Sequence, residues 1–417
     1  MEKFIIKGGK KLSGEVEISS AKNAVLPILA ATILSADLCI LNNTPMLEDV
    51  NVLCELLESL DAKVTKNNGV VRVDTSDLNY KNVNNELVKK MRASFLIMGA
   101  MVARFGNFKM SLPGGCNIGA RPIDLHLKGL AALGADIETE HGFVEVNANE
   151  LHGAKIYLDF PSVGATENIM MAACLAKGET IIENAAEEPE ITDLANFLKS
   201  MGAKIYGEGT DTIKIIGVKK LHGSEYTPIF DRIEAGTFMV AAAATKSTIK
   251  LTNTNAEYMR PIIAKLKEMG VETIVENNAL IVNGNTNIKC VDIKTMPYPG
   301  FPTDMQAQMM ALLSIADGTS MITETMFENR FMQARELIRM GANIKTDGRC
   351  AVVEGTEFLT GAEVKATDLR AGAALIIAGL CAKGETTIVD IYHIDRGYVM
   401  IEEKLKKLGA DIKRVNN

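Results

Sequence analysis

Two helix patterns recur along this chain, and they differ in where their apolar residues lie. In residues 401–408, apolar side chains fall at positions 401, 405 and 408 on one helical face, and the other positions are charged. This pattern is typical of a surface helix. Residues 371–380 are instead almost wholly apolar, and a helix that is apolar all round must be buried on every side.

Both patterns repeat at a regular spacing. The surface helix ends in a short phrase, such as Leu408-Gly-Ala-Asp-Ile, that places a glycine at the helix C-cap and then opens a strand. The six phrases begin 68 to 73 residues apart, at Leu60, Leu133, Met201, Met269, Met340 and Leu408. The buried helices recur in step and begin near Lys22, Met91, Ser162, Asp231, Pro302 and Asp368. This spacing predicts a repeated unit of one buried helix, one surface helix and several short strands.

Six units form two triplets, which predicts two similar α/β domains. The direct strand–helix–strand alternation and the G-x-G-x-x-G fingerprint are both missing, so neither a Rossmann fold nor a TIM barrel is expected. The alternative is a solenoid that serves as a binding scaffold, but solenoid repeats usually span about 20–45 residues and these units are longer. Two closed domains with a small-molecule site in the cleft between them are the favoured interpretation.

Length and charge narrow the functional classes. The chain has 417 residues, enough for two or three domains, and 45 basic against 52 acidic residues give a formal net charge of −7. An acidic chain has no general attraction to nucleic acid or anionic lipid, so neither is an expected partner. We find no signal-peptide core and no apolar stretch of the ~18 residues that span a membrane. Seven irregularly spaced cysteines, without a C-x-x-C pair, indicate neither disulfides nor zinc and favour a cytoplasmic protein.

Basic residues occur at the predicted starts of helices, where unpaired backbone N–H groups already attract anions. They are Lys22, Arg92, Arg121, Arg330, Arg370 and Arg396. In an acidic chain this set predicts a site for a small molecule with several negative charges. The alternative is that each cation pairs locally with a neighbouring acid, as Asp368 and Asp395 would allow.

Two further residues are candidates for proton chemistry. Cys116 lies in the segment Pro113-Gly-Gly-Cys116-Asn-Ile-Gly, whose three glycines predict an accessible loop, and the nearby Arg121 would favour a thiolate. An inert loop cysteine is the alternative. Asp304 stands at the start of a buried helix and is either a base facing the cleft or an acid placed for the helix dipole. We assign no role to the five histidines, and the sequence contains neither a metal-ligand cluster nor a P-loop.

Several motifs together resemble one enzyme family. They are Ser20-Ala-Lys22-Asn23, Pro113-Gly-Gly-Cys116-Asn-Ile-Gly-Ala-Arg121-Pro-Ile-Asp124, Pro161-Ser-Val-Gly-Ala-Thr-Glu-Asn168, Gly300-Phe-Pro-Thr-Asp304, Phe327-Glu-Asn-Arg330, Asp368-Leu-Arg370 and Asp395-Arg396-Gly-Tyr398. From end to end the chain resembles the UDP-N-acetylglucosamine 1-carboxyvinyltransferases, of the EPSP synthase-like enolpyruvyl transferase family. The resemblance implies a two-domain inside-out α/β barrel fold with threefold pseudo-symmetry in each domain. One domain would span residues 22–229 and carry the Cys116 loop, and the other would join residues 1–21 to residues 230–417.

The resemblance also implies a reaction and its residues. The enolpyruvyl group of phosphoenolpyruvate would pass to the 3'-hydroxyl of UDP-N-acetylglucosamine with release of phosphate, the committed step of peptidoglycan biosynthesis. The catalytic residues would be Cys116, Asp304, Lys22 and Arg396. Phosphoenolpyruvate would be bound by Lys22, Asn23, Arg92, Arg121, Arg330, Arg370 and Arg396. The sugar nucleotide would be bound by Asn23, Arg92, Arg121, Pro122, Ile123, Asp124, Leu125, Ser162, Val163, Gly164, Asp304 and Met326.

The same resemblance implies individual steps. Asp304 would accept the hydroxyl proton, and Cys116 would deliver a proton to C3 of phosphoenolpyruvate or form a covalent adduct at C2. The Cys116 loop would close as a lid over bound ligand. No metal or organic cofactor is implied, and we expect a monomer because the repeats complete their own cores. The alternatives are the related transferase that acts on shikimate 3-phosphate, and a catalytically silent paralogue that binds the sugar nucleotide.

Overall fold

The computed structural model describes residues 2–79, 95–111 and 123–416. Within these ranges the chain forms two compact units: residues 2–19 with 230–416 make the first, and residues between 20 and 229 make the second. Each unit mixes helices with short strands, so the predicted α/β class is confirmed. The predicted boundaries of independently folding domains, at residues 21/22 and 229/230, stay a prediction.

The described part of the first unit contains three four-stranded sheets. In order across each sheet, the strands are Glu363–Lys365, Glu385–Val389, Glu2–Lys7 and Asp411–Asn416; Glu272–Glu276, Ala279–Asn283, Thr248–Thr252 and Ser13–Glu17; and Ile293–Lys294, Thr319–Thr323, Cys350–Glu354 and Asn343–Asp347. Glu2–Lys7 runs antiparallel to both of its neighbours, with Phe4 opposite Ile388 and Arg414. The first two strands of the chain thus complete sheets whose other strands come from the C-terminal half.

The second unit also contains three sheets within the described ranges. Their strands, again in order, are Lys204–Tyr206, Thr212–Ile216, Glu179–Glu183 and Lys155–Tyr157; Glu225–Tyr226, Leu38–Leu41, Val70–Asp74 and Lys63–Asn67; and Asn107–Ser111, Phe143–Asn147 and Asp136–Glu140. Five of the six sheets hold an antiparallel hairpin that directly follows one of the repeated phrases. In the sixth, Glu2–Lys7 replaces the second hairpin strand beside Asp411–Asn416.

The helices follow the predicted pair of patterns. Among the described residues of the second unit they are Lys22–Ala31, Glu48–Ser59, Ile97–Phe105, Asp124–Ala132, Val163–Ala173 and Pro189–Ser200. In the first unit they are Arg232–Ala244, Arg260–Glu268, Gln306–Leu313, Met332–Arg339, Leu369–Cys381, Tyr392–Asp395 and Ile401–Lys407. Every residue of Arg232–Ala244 and of Gln306–Leu313 is buried, and both pack against Leu369–Cys381. These three helices form the centre of the first unit's core, which strand residues from its sheets complete.

Glycines end the surface helices as the repeated phrase predicts. Five of them have φ between 95° and 102°, a backbone conformation that glycine adopts without a steric penalty: Gly134, Gly202, Gly270, Gly341 and Gly409. In the first repeat Asp61 takes this place, with φ at 70°. The C-cap prediction is therefore confirmed, and the aspartate shows that the left-handed turn is kept without glycine.

Three cysteines that lie in or next to helices differ in burial. Cys54 and Cys174 are fully buried, and burial raises the pKa of their thiols to about 11 and about 12. Cys381 is half-buried at the end of its helix and packs against the first unit's core. The six cysteines within the described ranges are all free of disulfides. Thiols held in this way are poor nucleophiles, which agrees with a packing role.

Candidate active site

A carboxylate lies between two arginines in the first unit. Asp304, in the 3-10 turn Thr303–Met305, accepts hydrogen bonds from Nη2 of Arg330 at 2.9 Å and from Nη2 of Arg370 at 2.8 Å. Both arginine side chains are 5% exposed, whereas that of Asp304 is 27% exposed. We call these three residues the Asp304 clamp. It sets two nearly buried cations beside one partly exposed anion, which leaves guanidinium N–H groups to bind a further planar anion.

Arg370 is held by its place in the first turn of the buried helix Leu369–Cys381. The N-cap residue Asp368 accepts hydrogen bonds from the backbone N–H groups of Arg370 at 2.8 Å and Ala371 at 3.0 Å. The guanidinium lies 5.7 Å from the ring centre of Tyr398, and its Nη1 donates to the Tyr398 hydroxyl at 3.3 Å. Burial lowers the pKa of Arg370, but the charge of Asp304 and its other neighbours raise that pKa above its ordinary value. The guanidinium therefore stays charged despite its burial.

Arg330 reaches Asp304 from an irregular segment. The strand Thr319–Thr323 ends seven residues earlier, and the helix Met332–Arg339 begins two residues later, so Arg330 lies just before the helix that it was expected to open. Its guanidinium lies 5.4 Å from the ring centre of Phe327. Met326, a predicted sugar-nucleotide contact, lies half-buried in the same segment.

The position of Arg396 corrects one expectation. Arg396 does not open the last surface helix; it follows the short helix Tyr392–Asp395 and precedes Ile401–Lys407 by five residues. Met400, with φ at 43°, is the last of the five residues between the two helices and the N-cap of the second. The carboxylate of Asp395 receives two hydrogen bonds from Arg414, at 2.6 and 3.0 Å.

Lys22 begins the buried helix Lys22–Ala31 of the second unit, as predicted. Its Nζ lies 3.2 Å from Oδ2 of Asp49, and the two side chains are 13% and 7% exposed. Asn23, the next residue, is exposed. The acid that pairs with Lys22 is 27 residues away along the chain, so this pairing is not the local one that we considered.

Two predicted sugar-nucleotide segments come together in the second unit. Ser162 is the N-cap of the helix Val163–Ala173, and its Oγ accepts a hydrogen bond from the backbone N–H of Ala165 at 3.3 Å. Gly164 lies so close to the helix Asp124–Ala132 that a Cβ on it would stand 3.0 Å from Cε1 of His126. The first turns of both helices are therefore neighbours.

The second of these segments consists of Ile123, Asp124 and Leu125. Asp124 is exposed at the first helical position, and its two neighbours are half-buried. His126, to which we assigned no role, lies with Nδ1 3.0 Å from Nδ2 of Asn168. This contact joins the two helices, so the histidine has a packing role.

Four predicted site residues fall outside the described ranges: Arg92, Cys116, Arg121 and Pro122. The predicted lid lies there as well. Residues 2–79, 95–111 and 123–416 hold no group of three His, Cys, Asp or Glu side chains that could bind a metal ion. In the same ranges, no helix is long and apolar enough to cross a membrane.

Three residues that support the site were not found from the sequence. Asp49 pairs with Lys22, Tyr398 bonds to Arg370, and Glu324 accepts hydrogen bonds around the segment that carries Met326. Tyr398 stands in the motif Asp395-Arg396-Gly-Tyr398, which was a usable signal. Asp49 and Glu324 stand in segments without a distinctive pattern, and their partners are distant in sequence.

Comparison with known proteins decides the family. A family model described as EPSP synthase (3-phosphoshikimate 1-carboxyvinyltransferase) matches residues 6–405. UDP-N-acetylglucosamine 1-carboxyvinyltransferase 2 of Clostridium tetani is 65% identical over 417 residues, which cover all of both chains. This chain belongs to the EPSP synthase family, among the UDP-N-acetylglucosamine 1-carboxyvinyltransferases.

Further likenesses within the enolpyruvyl transferases agree. UDP-N-acetylglucosamine 1-carboxyvinyltransferase 1 of Clostridium acetobutylicum is 62% identical over 417 residues and is also matched along its full length. The crystal structure of the enolpyruvyl transferase NikO from Streptomyces tendae superimposes with a TM-score of 0.90 at 27% identity, covering 100% of this chain and 99% of that one. The predicted family and fold are therefore confirmed.

Proposed function

We propose that this protein transfers the enolpyruvyl group of phosphoenolpyruvate to the 3'-hydroxyl of UDP-N-acetylglucosamine and releases phosphate, the committed step of peptidoglycan biosynthesis. The full-length identity of 65% to a relative named for this activity supports the proposal. The observation that carries it within the molecule is the Asp304 clamp, which joins a carboxylate base to two cations for a substrate carboxylate. As part of the same proposal, the protein acts as a monomer in the cytoplasm and needs no cofactor.

The Asp304 clamp suits its two proposed tasks, which are to bind the carboxylate of phosphoenolpyruvate and to accept a proton from the sugar hydroxyl. Arg330 and Arg370 each give one N–H group to Asp304, and a guanidinium has five, so donors remain for the carboxylate of phosphoenolpyruvate. A fixed guanidinium can bind both oxygens of a carboxylate at once. A second anion beside Asp304 then favours the protonated form of Asp304. Substrate binding would thus prepare Asp304 to accept the proton of the sugar hydroxyl.

The steps balance as an addition followed by an elimination. The 3'-oxygen attacks C2 of phosphoenolpyruvate and gives its proton to Asp304, while Cys116 delivers a proton to C3. The Cys116 thiolate takes back a proton from C3 of the resulting tetrahedral intermediate, and the bond from C2 to the phosphate oxygen breaks. Phosphate leaves with the proton that Asp304 accepted, and the enol ether remains. Lys22, Arg121 and Arg396 would hold the phosphate, with Arg92 nearby. Cations placed at developing negative charge usually make the largest contribution to catalysis.

The sugar nucleotide would bind to the second unit. The helix Val163–Ala173 begins with backbone N–H groups that have no partner within the helix, a favourable setting for a diphosphate. Ser162, Val163 and Gly164 line this helix start, and the segment from Ile123 to Leu125 lies beside it. Asn23, Pro122 and Met326 complete the proposed set.

Phosphate release tests the proposal directly. Wild type, Asp304→Asn and Asp317→Asn would each receive phosphoenolpyruvate with either UDP-N-acetylglucosamine or shikimate 3-phosphate. Asp317 is exposed and follows the helix Gln306–Leu313, whereas Asp304 precedes it, so Asp317 is a matched aspartate control at the other end of that helix. We expect phosphate release when the acceptor is UDP-N-acetylglucosamine and none when it is shikimate 3-phosphate. The rate of release should be retained by Asp317→Asn and lowered by about a hundredfold or more in Asp304→Asn.

Each other result has a definite meaning. Release with shikimate 3-phosphate instead would assign the chain to the related transferase. Binding of the sugar nucleotide without release by wild type would make it a silent paralogue. Full activity of Asp304→Asn would remove Asp304 from the proton chemistry and leave the transferase proposal in place.

A further inference from the structure

The first unit contains a buried carboxylate, that of Glu324, outside the Asp304 clamp. Glu324 directly follows the strand Thr319–Thr323 and is 1% exposed. Its partners within the described ranges are hydroxyl and backbone N–H groups, with no cation among them. A buried carboxylate is costly unless its oxygens are well hydrogen-bonded, so this arrangement calls for a structural reason.

Four donors converge on this one side chain. Its Oε1 accepts hydrogen bonds from Oγ1 of Thr295 at 2.8 Å and from the backbone N–H groups of Met326 at 2.8 Å and Phe327 at 3.3 Å. Its Oε2 accepts a hydrogen bond from Oγ1 of Thr303 at 2.9 Å. A carboxylate offers only acceptors, so a single anion ties together three separate segments of chain.

Two of these segments carry the Asp304 clamp. Thr303 immediately precedes Asp304, and Phe327 is three residues before Arg330, whose guanidinium lies over the Phe327 ring. The 2.9 Å hydrogen bond between Arg330 and Asp304 therefore joins two segments that are both anchored on Glu324. If either anchor moved, the distance and angle of that bond would change.

We propose that Glu324 is a positioning residue: its two oxygens hold the turn of Asp304 and the segment of Arg330 in register, so that the base meets the sugar hydroxyl in a productive geometry. The inference rests on the proposed function, because it takes Asp304 as the base. Glu324 itself does not contact substrate in this account. Displacement of a reacting group by about 1 Å costs on the order of a hundredfold in rate, so such an anchor matters for turnover.

The hydrogen bond from Thr303 to Glu324 gives the sharpest test, because a single hydroxyl links the turn of Asp304 to Glu324. Thr303→Val removes the bond with little change of shape, and Thr303→Ser keeps the hydroxyl. Thr386→Val is the matched control: Thr386 is also in the first unit, is fully buried, and its hydroxyl has no hydrogen-bond partner within the described residues. We expect kcat to fall about tenfold in Thr303→Val, with KM for the sugar nucleotide changed by less than about twofold, while Thr303→Ser and Thr386→Val stay near wild type.

Variants of Glu324 separate geometry from charge. In Glu324→Gln the amide oxygen can replace Oε1 and the NH₂ group can donate to the Thr303 hydroxyl, so we expect kcat within about threefold of wild type. Glu324→Ala leaves all four donors without an acceptor, and we expect a loss of about a hundredfold. Equal loss in the Gln and Ala variants would overturn the positioning role, because the charge itself would then be required. If the Ala variant does not fold, the Thr303 series decides.

Further outcomes separate this inference from the proposed function. An active wild type whose kcat is unchanged by Thr303→Val would overturn the inference alone. A loss of kcat in Thr386→Val equal to that in Thr303→Val would also overturn it, because the effect would then be a general one of buried threonines. A wild type that releases no phosphate would overturn the proposed function, and the inference with it.

Discussion

Removal of the Asp304 carboxylate is the perturbation whose effect follows most directly from the structure. This side chain is the shared partner of Arg330 and Arg370, which are each 5% exposed. Asp304→Ala would leave two nearly buried positive charges facing one another without that anion. The variant should therefore lose stability as well as activity, although Asp304 is itself partly exposed.

The magnitude can be estimated from the burial of the three groups. Removal of one partner from a fully buried ion pair costs about 3–5 kcal/mol, because the other charge stays buried and uncompensated. Asp304 is 27% exposed, so water can enter and offset part of the loss, and we expect about 2–4 kcal/mol. For a unit of this size each kcal/mol lowers Tm by about 2–4 °C, which gives a decrease of roughly 5–15 °C. Asp304→Asn keeps one carbonyl acceptor and should lose about half as much.

Scanning calorimetry of wild type, both variants and Asp317→Ala would measure this. The exposed Asp317 serves as control, and its removal should change the free energy of unfolding by less than about 0.5 kcal/mol. Phosphoenolpyruvate should stabilise Asp304→Ala more than it stabilises wild type, because its carboxylate would replace the missing anion. A Tm for Asp304→Ala equal to that of the control would show that the carboxylate does not compensate the arginines, and the reasoning about the clamp would fail.

Two further predictions concern the second unit. Burial raises the pKa of Asp193 to about 6, so folding favours its protonated form; the resulting stability is present at low pH and is lost as pH rises from about 4 to 6, by roughly 3 kcal/mol. Urea unfolding of Asp193→Asn across this range should lack that decline, and an unchanged decline would assign it to other groups. A Cβ on Gly99 would stand 2.2 Å from the carbonyl oxygen of Asn168, so Gly99→Ala should lower the free energy of unfolding by about 1–3 kcal/mol. The control Ala131→Ser, at an exposed position, should lower it by less than about 0.5 kcal/mol. Equal urea midpoints for the two variants would contradict the close approach of the helices Ile97–Phe105 and Val163–Ala173.

Much of the fold could be predicted from the sequence because each repeat contains residues that mark where its helices begin and end. The apolar run of residues 371–380 and the charged face of residues 401–408 have no other stable placement than buried and surface helices. The glycine after Leu408 likewise fixed the end of a helix, and its φ of 99° confirms this. What repetition could not supply was the pairing of Glu2–Lys7 with Asp411–Asn416, since strands from opposite chain ends share no local pattern.

The site was less predictable, for a physical reason. Placement of Lys22 and Arg370 at helix starts follows from local sequence, and both are found there. Arg396 was misplaced because five non-helical residues, the last of them the left-handed Met400, separate Tyr392–Asp395 from Ile401–Lys407, and an apolar pattern does not reveal a positive φ. The contacts of Glu324 depend on three segments that meet only after folding, so no spacing in the sequence could indicate them.

The two interpretations of the basic residues at helix starts, an anion site or local ion pairs, both omit acids that are distant in the sequence. Lys22 pairs with Asp49 at a separation of 27 residues, and Asp304 serves Arg330 and Arg370 at separations of 26 and 66 residues. These three cations are therefore compensated, but by acids that the fold brings to them. Buried guanidinium groups need such an anion while no ligand is bound, and a substrate anion can then share their remaining donors. An acid that meets this need at the position of the reacting hydroxyl can also serve as the base, so stability without ligand and catalysis with it would depend on one carboxylate.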